Sequence, residues 1–248
     1  MHQYQPISGR RIRFAVVGCG RISKNHFESL KKHADNAELV AVCDVDPGAL
    51  AAAKTATGVT AFARYEDLLA KTDADVVVLS TPSGLHADQT ILAAQAGKHV
   101  ITEKPMATRW QDGKRMVAAC DAAGVRLFVV KQNRRNATLQ LLKRALDGGR
   151  FGRIYMVTVN VFWNRPQSYY DQPGRGTRAR DGGGVLLTQG IHTLDVFLSL
   201  TGDVAEVQSF VTTTPVHRME TEDLVCAAVK FANGALGTIH ATTTAYPG

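Results

Sequence analysis

Four groups of residues have types and spacings that could do chemistry. In "RIRFAVVGCGRIS", residues 11 to 23, Gly18 and Gly20 end an apolar run and precede a helical pattern that begins near Ile22. In that context the first glycine turns the chain tightly, the second lets backbone approach a pyrophosphate, and a helix N-terminus offers N–H groups to the anion. Asp44 closes the run "LVAVCD", near the spacing of about 20 residues expected of an acid that binds ribose hydroxyls. Its carboxylate would repel a 2′-phosphate, and no arginine directly follows it, so NAD is expected rather than NADP. Lys104, in "ITEKPMA", lies just past a β-prone run, and Pro105 favours extended backbone at this lysine. Desolvation beside a positive nicotinamide would lower its pKa towards that of a useful base. His192, in "GIHTLD", suits proton transfer, and Asp195 three residues on could share its helix face and orient the ring. Taken alone, these residues also fit a plain βα turn, a solvated strand end, a surface lysine and a packed histidine with a first-turn aspartate.

Positioning them needs a particular scaffold. From residue 11, β-rich runs at 11–17, 38–43, 75–80, 98–102 and 126–130 alternate with helical patterns, several ended by glycine. This predicts βαβ units and an α/β fold, with a doubly wound parallel Rossmann sheet in domain 1–130 that leaves Gly18 and Lys104 at its carboxyl edge. In domain 131–248 the texture changes to long β-prone runs, "GRIYMVTVNVFW", "AEVQSFVTTTP" and "TEDLVCAAVKFANGALGTIHATTT", with a turn at Asn233-Gly234 and one embedded helical pattern, "IHTLDVFLSLTG". An α+β domain is expected there, with a mostly antiparallel open sheet. The chain stops at "AYPG" directly after a strand, so a missing C-terminal segment is expected. Lys104 and His192 fall in different domains, and their use in one reaction requires them to converge.

The bulk numbers set limits. A chain of 248 residues with 45% apolar composition can build real cores. Its start lacks a signal-peptide apolar region and no later stretch has membrane-span length, which predicts a soluble cytoplasmic protein without a membrane partner. The cysteines Cys19, Cys43, Cys120 and Cys226 are scattered, and no metal site is expected. The net charge of +7 is dispersed, and its densest stretches, "KQNRR" and "GRGTRAR", match no nucleic-acid module. A small anionic ligand accounts for them instead.

Four stretches, "VGCGRIS", "STPSGLH" (80–86), "HVITEKPMA" (99–107) and "GGGVLLTQGIHTLD" (182–195), make the chain resemble the Gfo/Idh/MocA family of NAD(P)-dependent sugar oxidoreductases over nearly its whole length. The resemblance implies an NAD site formed by Gly18, Gly20, Arg21, Ile22, Asp44, Thr81, Pro82, His86, Glu103 and Lys104, with His86 packed beside the cofactor, and catalysis by Lys104 and His192. "KQNRRN" (131–136), "WNRPQSYYD" (163–171) and "RGT" (175–177) resemble the branch that oxidises C3 of UDP-N-acetylglucosaminuronate (UDP-GlcNAcA) towards diaminouronic acids of bacterial surface polysaccharides such as lipopolysaccharide. That branch implies substrate contacts from Gln132, Asn133 and Arg134, and a clamp on diphosphate and carboxylate from Arg165, Tyr169, Tyr170, Arg175 and Arg178. The stretch "PGRGTRARDGGG" lacks the tryptophans expected beside Arg-Gly-Thr.

Polyol-oxidising members of the family carry an aspartate four residues before the histidine. Here that place is Thr188, followed by Gln189; the resemblance implies that both line the substrate, and a neutral residue suits an anionic one. Two other readings are a dehydrogenase of a free polyol or sugar such as inositol, and a non-catalytic NAD- or sugar-sensing regulator; the retained Lys104 and His192 speak against the regulator. Homodimers or homotetramers packed through the open sheet face are implied as well.

Overall fold

The structure is a computed structural model that describes residues 6–247. Residues 1–5 and 248, at the outer ends of the two predicted domains, lie outside the described residues. The chain divides into two compact units, Met1–Val130 and Lys131–Gly248.

The first unit runs β1 (Ile12–Val17), α1 (Ser23–Lys32), β2 (Ala37–Cys43), α2 (Pro47–Thr57), β3 (Thr60–Phe62), α3 (Tyr65–Lys71), β4 (Val76–Leu79), α4 (His86–Gln95), β5 (His99–Thr102), α5 (Trp110–Ala122) and β6 (Leu127–Val129). Its strands are all parallel, in the order β3-β2-β1-β4-β5-β6. That is the doubly wound order, with the reversal of direction between β1 and β4, where open α/β sheets bind ligands. The continuous apolar runs explain the parallel sheet: all of β4 is buried, and Ala15, Val17, Ala41, Val77, Leu79 and Val100 share one core. Helix α2 shows how local sequence sets an element, because Asp46 caps Ala49 N–H, Pro47 opens the helix and Gly58 closes it at φ +71°. The short β3, paired with Ala41–Cys43, is an addition to the expected strands; three residues carry too little periodicity to read.

The second unit runs α6 (Ala137–Asp147), β7 (Met156–Phe162), α7 (Gln167–Tyr170), α8 (Arg178–Asp181), α9 (Val185–Thr188), α10 (Ile191–Thr201), β8 (Val204–Thr212), β9 (Leu224–Phe231) and β10 (Leu236–Thr242). The sheet order is β7-β10-β9-β8, antiparallel except for the parallel pair of β7 and β10. Helix α6, capped by Asn136 through Thr138 N–H and Leu139 N–H, was absent from the expected elements. One sheet face packs Val159, Val161, Val225, Val229 and Phe231 against Val185 and Phe197. The other carries cross-strand rows such as Asn160, His240, Cys226 and Phe210, and β8 is exposed along its length. Among the described residues no helix is long and apolar enough to cross a membrane.

Candidate active site

In the first unit the predicted cofactor residues gather at the carboxyl ends of β1, β2, β4 and β5. Gly18 has φ +88°, and a Cβ there would lie 2.7 Å from the Ser80 carbonyl carbon and 2.8 Å from Thr81 N. Only glycine lets the two loops touch at the switch point. Gly20 is open on the side where a Cβ would project, while its carbonyl accepts from Ser23 N–H at 3.2 Å and Ser23 Oγ–H at 2.7 Å. Ser23, the departure from a third glycine or alanine, is thus fully buried and satisfied. Arg21 is exposed and Ile22 half-buried where α1 begins; the first turn of α1 has no acid and its last turn carries Lys31 and Lys32, a polarity that leaves the N-terminus ready for an anion.

Asp44 ties the glycine loop down. One carboxylate oxygen accepts Cys19 N–H at 2.6 Å and the other Asp46 N–H at 2.8 Å, with lone pairs left for hydroxyl donors. Burial, then the Asp44 charge, push the Cys19 thiol up to about 11, so it stays neutral. Ser80 Oγ, buried at the junction with Gly18, has no hydrogen-bond partner among the described residues. A glycine cradle, an acid at the β2 end and an orphaned hydroxyl together fit NAD.

The same edge holds the loop after β5. Glu103 is buried, which works against its charge, but the hydrogen bond from His26 at 3.0 Å and a contact from Lys104 N–H at 3.2 Å leave its pKa below the usual value. Lys104 precedes Pro105 through a cis peptide bond. His86 is fully buried, with Nδ1 2.9 Å from Pro105 O and Nε2 3.0 Å from Thr81 O. Its ring therefore links the two loops, and burial lowers its pKa. Thr81 Oγ1 meets Gln89 Oε1 at 2.5 Å, and the Pro82 carbonyl accepts Leu85 N–H at 2.9 Å.

In the second unit two groups form. Gln132 Nε2 lies 3.2 Å from His192 Nε2 near the start of α10. Asp195 turns to Arg134, which binds it with two N–H groups at 2.6 and 2.8 Å, and to Lys131 at 3.7 Å. The Lys131 pKa is lowered by burial, against the pull of Asp195. Asn133 accepts Asn136 N–H through its carbonyl, closing the turn that presents Gln132.

The second group is built of aromatics and guanidinium groups. Arg165 lies 4.9 Å from the ring centre of Trp163 and 5.6 Å from that of Tyr169, and Arg175 stacks 4.8 Å from Tyr169. Tyr169 meets Tyr170 edge-on at 5.0 Å, and Gln189 Nε2 reaches Tyr169 Oη at 3.5 Å. Thr188 Oγ1 donates to Gly184 O at 2.6 Å. Among the described residues neither Arg165 nor Arg175 lies within 4.0 Å of a carboxylate. Arg178 stands apart, exposed, beside Glu220 at 3.8 Å.

Residues that the sequence reading did not single out complete these groups. Trp163 stacks on Arg165; buried Asp181 accepts Gly176 N–H at 2.8 Å and shapes the Arg-Gly-Thr turn; and a Cβ on Gly184 would sit 1.7 Å from Glu222 O, so the triple glycine brings α9 against backbone. His26 and His217 were unmarked too. His26 meets Glu103 and His217 meets the Arg165 carbonyl across 77 and 52 residues, and contacts so distant along the chain leave no local pattern.

Residues 12–131 match the family model described as oxidoreductase family, NAD-binding Rossmann fold, and residues 139–248 match the GFO/IDH/MocA C-terminal domain. A WlbA dehydrogenase from Chromobacterium violaceum, solved with NADH and UDP-GlcNAcA, is 56% identical with TM-score 0.96, across 100% of this chain and 71% of that one. The WlbA dehydrogenase from Bordetella pertussis, with the same two ligands, is 57% identical with TM-score 0.94, across 98% of this chain and 72% of that one. A D-apiose dehydrogenase from Paraburkholderia graminis is 36% identical over 204 residues, 80% of this chain and 52% of the relative. The chain spans about half the length of the first curated relatives it matches.

Proposed function

The chain belongs to the Gfo/Idh/MocA oxidoreductase family with its NAD-binding Rossmann fold, and from that premise we propose that it is an NAD-dependent dehydrogenase that oxidises the C3 hydroxyl of UDP-GlcNAcA to a ketone. The observation that carries this reading is the pair of guanidinium groups, Arg165 and Arg175, held by aromatic faces and, among the described residues, not neutralised by carboxylates. Such groups suit a diphosphate or uronate, which they can grip with two parallel N–H donors. The WlbA dehydrogenases solved with UDP-GlcNAcA support it from outside the chain, and the neutral Thr188 removes a charge that would repel a uronate.

Bound NAD supplies the hydride acceptor for the substrate carbon. The chain's residues do the rest. The glycine loop, the α1 N-terminus and Asp44 bind and orient the cofactor. Lys104 and His192 are the two groups of the chain suited to handle the hydroxyl proton. Gln132 fixes the His192 ring, while Arg165 and Arg175 hold the anionic substrate and Arg134, already paired with Asp195, frames the Gln132 turn. A second copy of the chain is proposed to cover the open sheet face, where Phe210 is 88% and Met156 75% exposed.

The test is NAD reduction by the purified protein with UDP-GlcNAcA, UDP-N-acetylglucosamine, myo-inositol and D-apiose. Turnover is expected with UDP-GlcNAcA well above the other three. Turnover with a neutral sugar or polyol alone would leave family membership standing and overturn the substrate.

A further inference from the structure

We infer that His217 is a positioning residue for the substrate arginine: with Asp223 it fixes the backbone of Arg165 and so sets where that guanidinium points. The inference rests on the reading of Arg165 as an anion-binding group. The His217 and Asp223 side chains are 1% and 0% exposed, and no step of the proposed chemistry uses them. His217 Nδ1 lies 2.8 Å from Asp223 Oδ2, and its Nε2 lies 2.8 Å from the Arg165 carbonyl oxygen. The Asp223 carboxylate is further taken up by Thr214, whose N–H and Oγ1–H each donate at 2.8 Å. A carboxylate so occupied and so dry is a brace rather than a proton acceptor for substrate.

The contacts close into a ring. Arg165 N–H donates to Thr243 O at 2.9 Å, and Thr243 N–H donates to Asp223 O at 3.1 Å. Tyr170 packs on the His217 ring at 4.8 Å and bonds Thr243 Oγ1 at 2.9 Å, which places Tyr169 at the flank of Arg165. The residue that meets substrate is thus half-exposed, while its backbone is bolted to a buried polar network; a long flexible side chain needs such support to hold one geometry.

The experiment compares His217→Leu, His217→Gln and Asp223→Asn with Arg165→Ala. Glutamine can place an amide N–H where Nε2 stood and keep the bond to Arg165 O; leucine cannot. His217→Leu should raise KM for UDP-GlcNAcA by about 10-fold or more, with kcat changed by less than about threefold and NADH affinity unchanged, and His217→Gln should recover most of the loss. Combined with Arg165→Ala it should add nothing further. A readout independent of substrate uses a Trp110→Phe background, where Trp163 is the remaining tryptophan and reports the guanidinium stacked on it. Its emission in His217→Leu should match Arg165→Ala, and in His217→Gln the parent. Should His217→Leu not fold, Asp223→Asn, which keeps the side-chain shape, takes its place with the same expected emission change. Unchanged KM and emission in folded variants, or a KM effect additive with Arg165→Ala, would overturn the inference. Emission changes as expected in a protein that ignores UDP-GlcNAcA would uphold the role of His217 and overturn the substrate reading instead.

Discussion

The two units hold their functional groups in different ways. In the first, the backbone makes the site: Gly18 abuts Ser80, Asp44 binds the Cys19 amide, and His86 spans the Thr81 and Pro105 carbonyls. In the second, side chains hold one another, as Arg165 rests between Trp163 and Tyr169 and Arg134 grips Asp195. A backbone-made site serves a cofactor whose pyrophosphate and ribose frame is shared by NAD and NADP. A site made of interlocked side chains can change specificity one residue at a time, which fits a family whose relatives act on different sugars.

The largest effect should come from the two residues proposed to handle protons. Lys104→Ala or His192→Ala should cut turnover by about 100-fold or more while fluorescence titration shows NADH affinity nearly kept; parent-like turnover in both would remove these residues from the chemistry. Next, Arg165→Ala should raise KM for UDP-GlcNAcA by about 10- to 100-fold and leave NADH binding alone. A parallel loss of NADH affinity would blur the division between the units.

Gly18→Ala attacks the backbone-made site. With φ +88° and a Cβ 2.7 Å from Ser80, it should destabilise the first unit by about 1–3 kcal/mol in urea unfolding and abolish NADH binding. Asp44→Ala should weaken NAD by about 10-fold and narrow the preference over NADP, because the ribose hydroxyls lose an acceptor and the 2′-phosphate loses a repelling charge. Unchanged discrimination would reduce Asp44 to a loop tether.

The smallest effect is on acid stability. The hydrogen bond from Arg10, opposed by burial, holds the Asp75 carboxyl down to about 2. A depressed carboxylate stabilises the fold fully above its unfolded pKa of about 3.9 and loses that contribution as pH falls through its folded value. Asp75→Asn should be less stable than the parent at neutral pH and lose less stability between about pH 4 and 2; identical acid profiles would show the pair to be inert.

This contrast also explains what the sequence discloses. The glycine pair, Asp44, and Lys104 before its proline lie at fixed distances from strands, because a backbone-made site imposes spacing, and they are legible with the doubly wound order. The cluster of Arg165, Tyr169 and Arg175 is legible only through likeness to relatives. Trp163, Asp181, His26 and the His217–Asp223 brace are not legible at all. Trp163, Asp181 and the His217–Asp223 pair stand within six residues of a partner but in loops and the single turn of α8, which impose no period, while the contacts of His26 with Glu103 and of His217 with the Arg165 carbonyl span 77 and 52 residues. Asp195 shows the limit of local reasoning. Its place three residues after His192 suggested that it orients that ring, yet its carboxylate is gripped by Arg134, 61 residues away. The short β3 and helix α6 escape the sequence pattern for different reasons, β3 for want of length and α6 because its Asn136 cap and amphipathic turn come at the start of the second unit, ahead of the β-prone runs that mark that domain.

The central claim is that the second unit binds an anionic nucleotide sugar through its arginine and aromatic residues. Calorimetric titration of the NADH-saturated protein with UDP-GlcNAcA, UDP and myo-inositol tests it most directly. UDP-GlcNAcA should bind more tightly than UDP, weaken as salt is raised and lose affinity in Arg165→Ala, while myo-inositol gives no binding heat. Binding of myo-inositol with none for UDP-GlcNAcA would contradict the account.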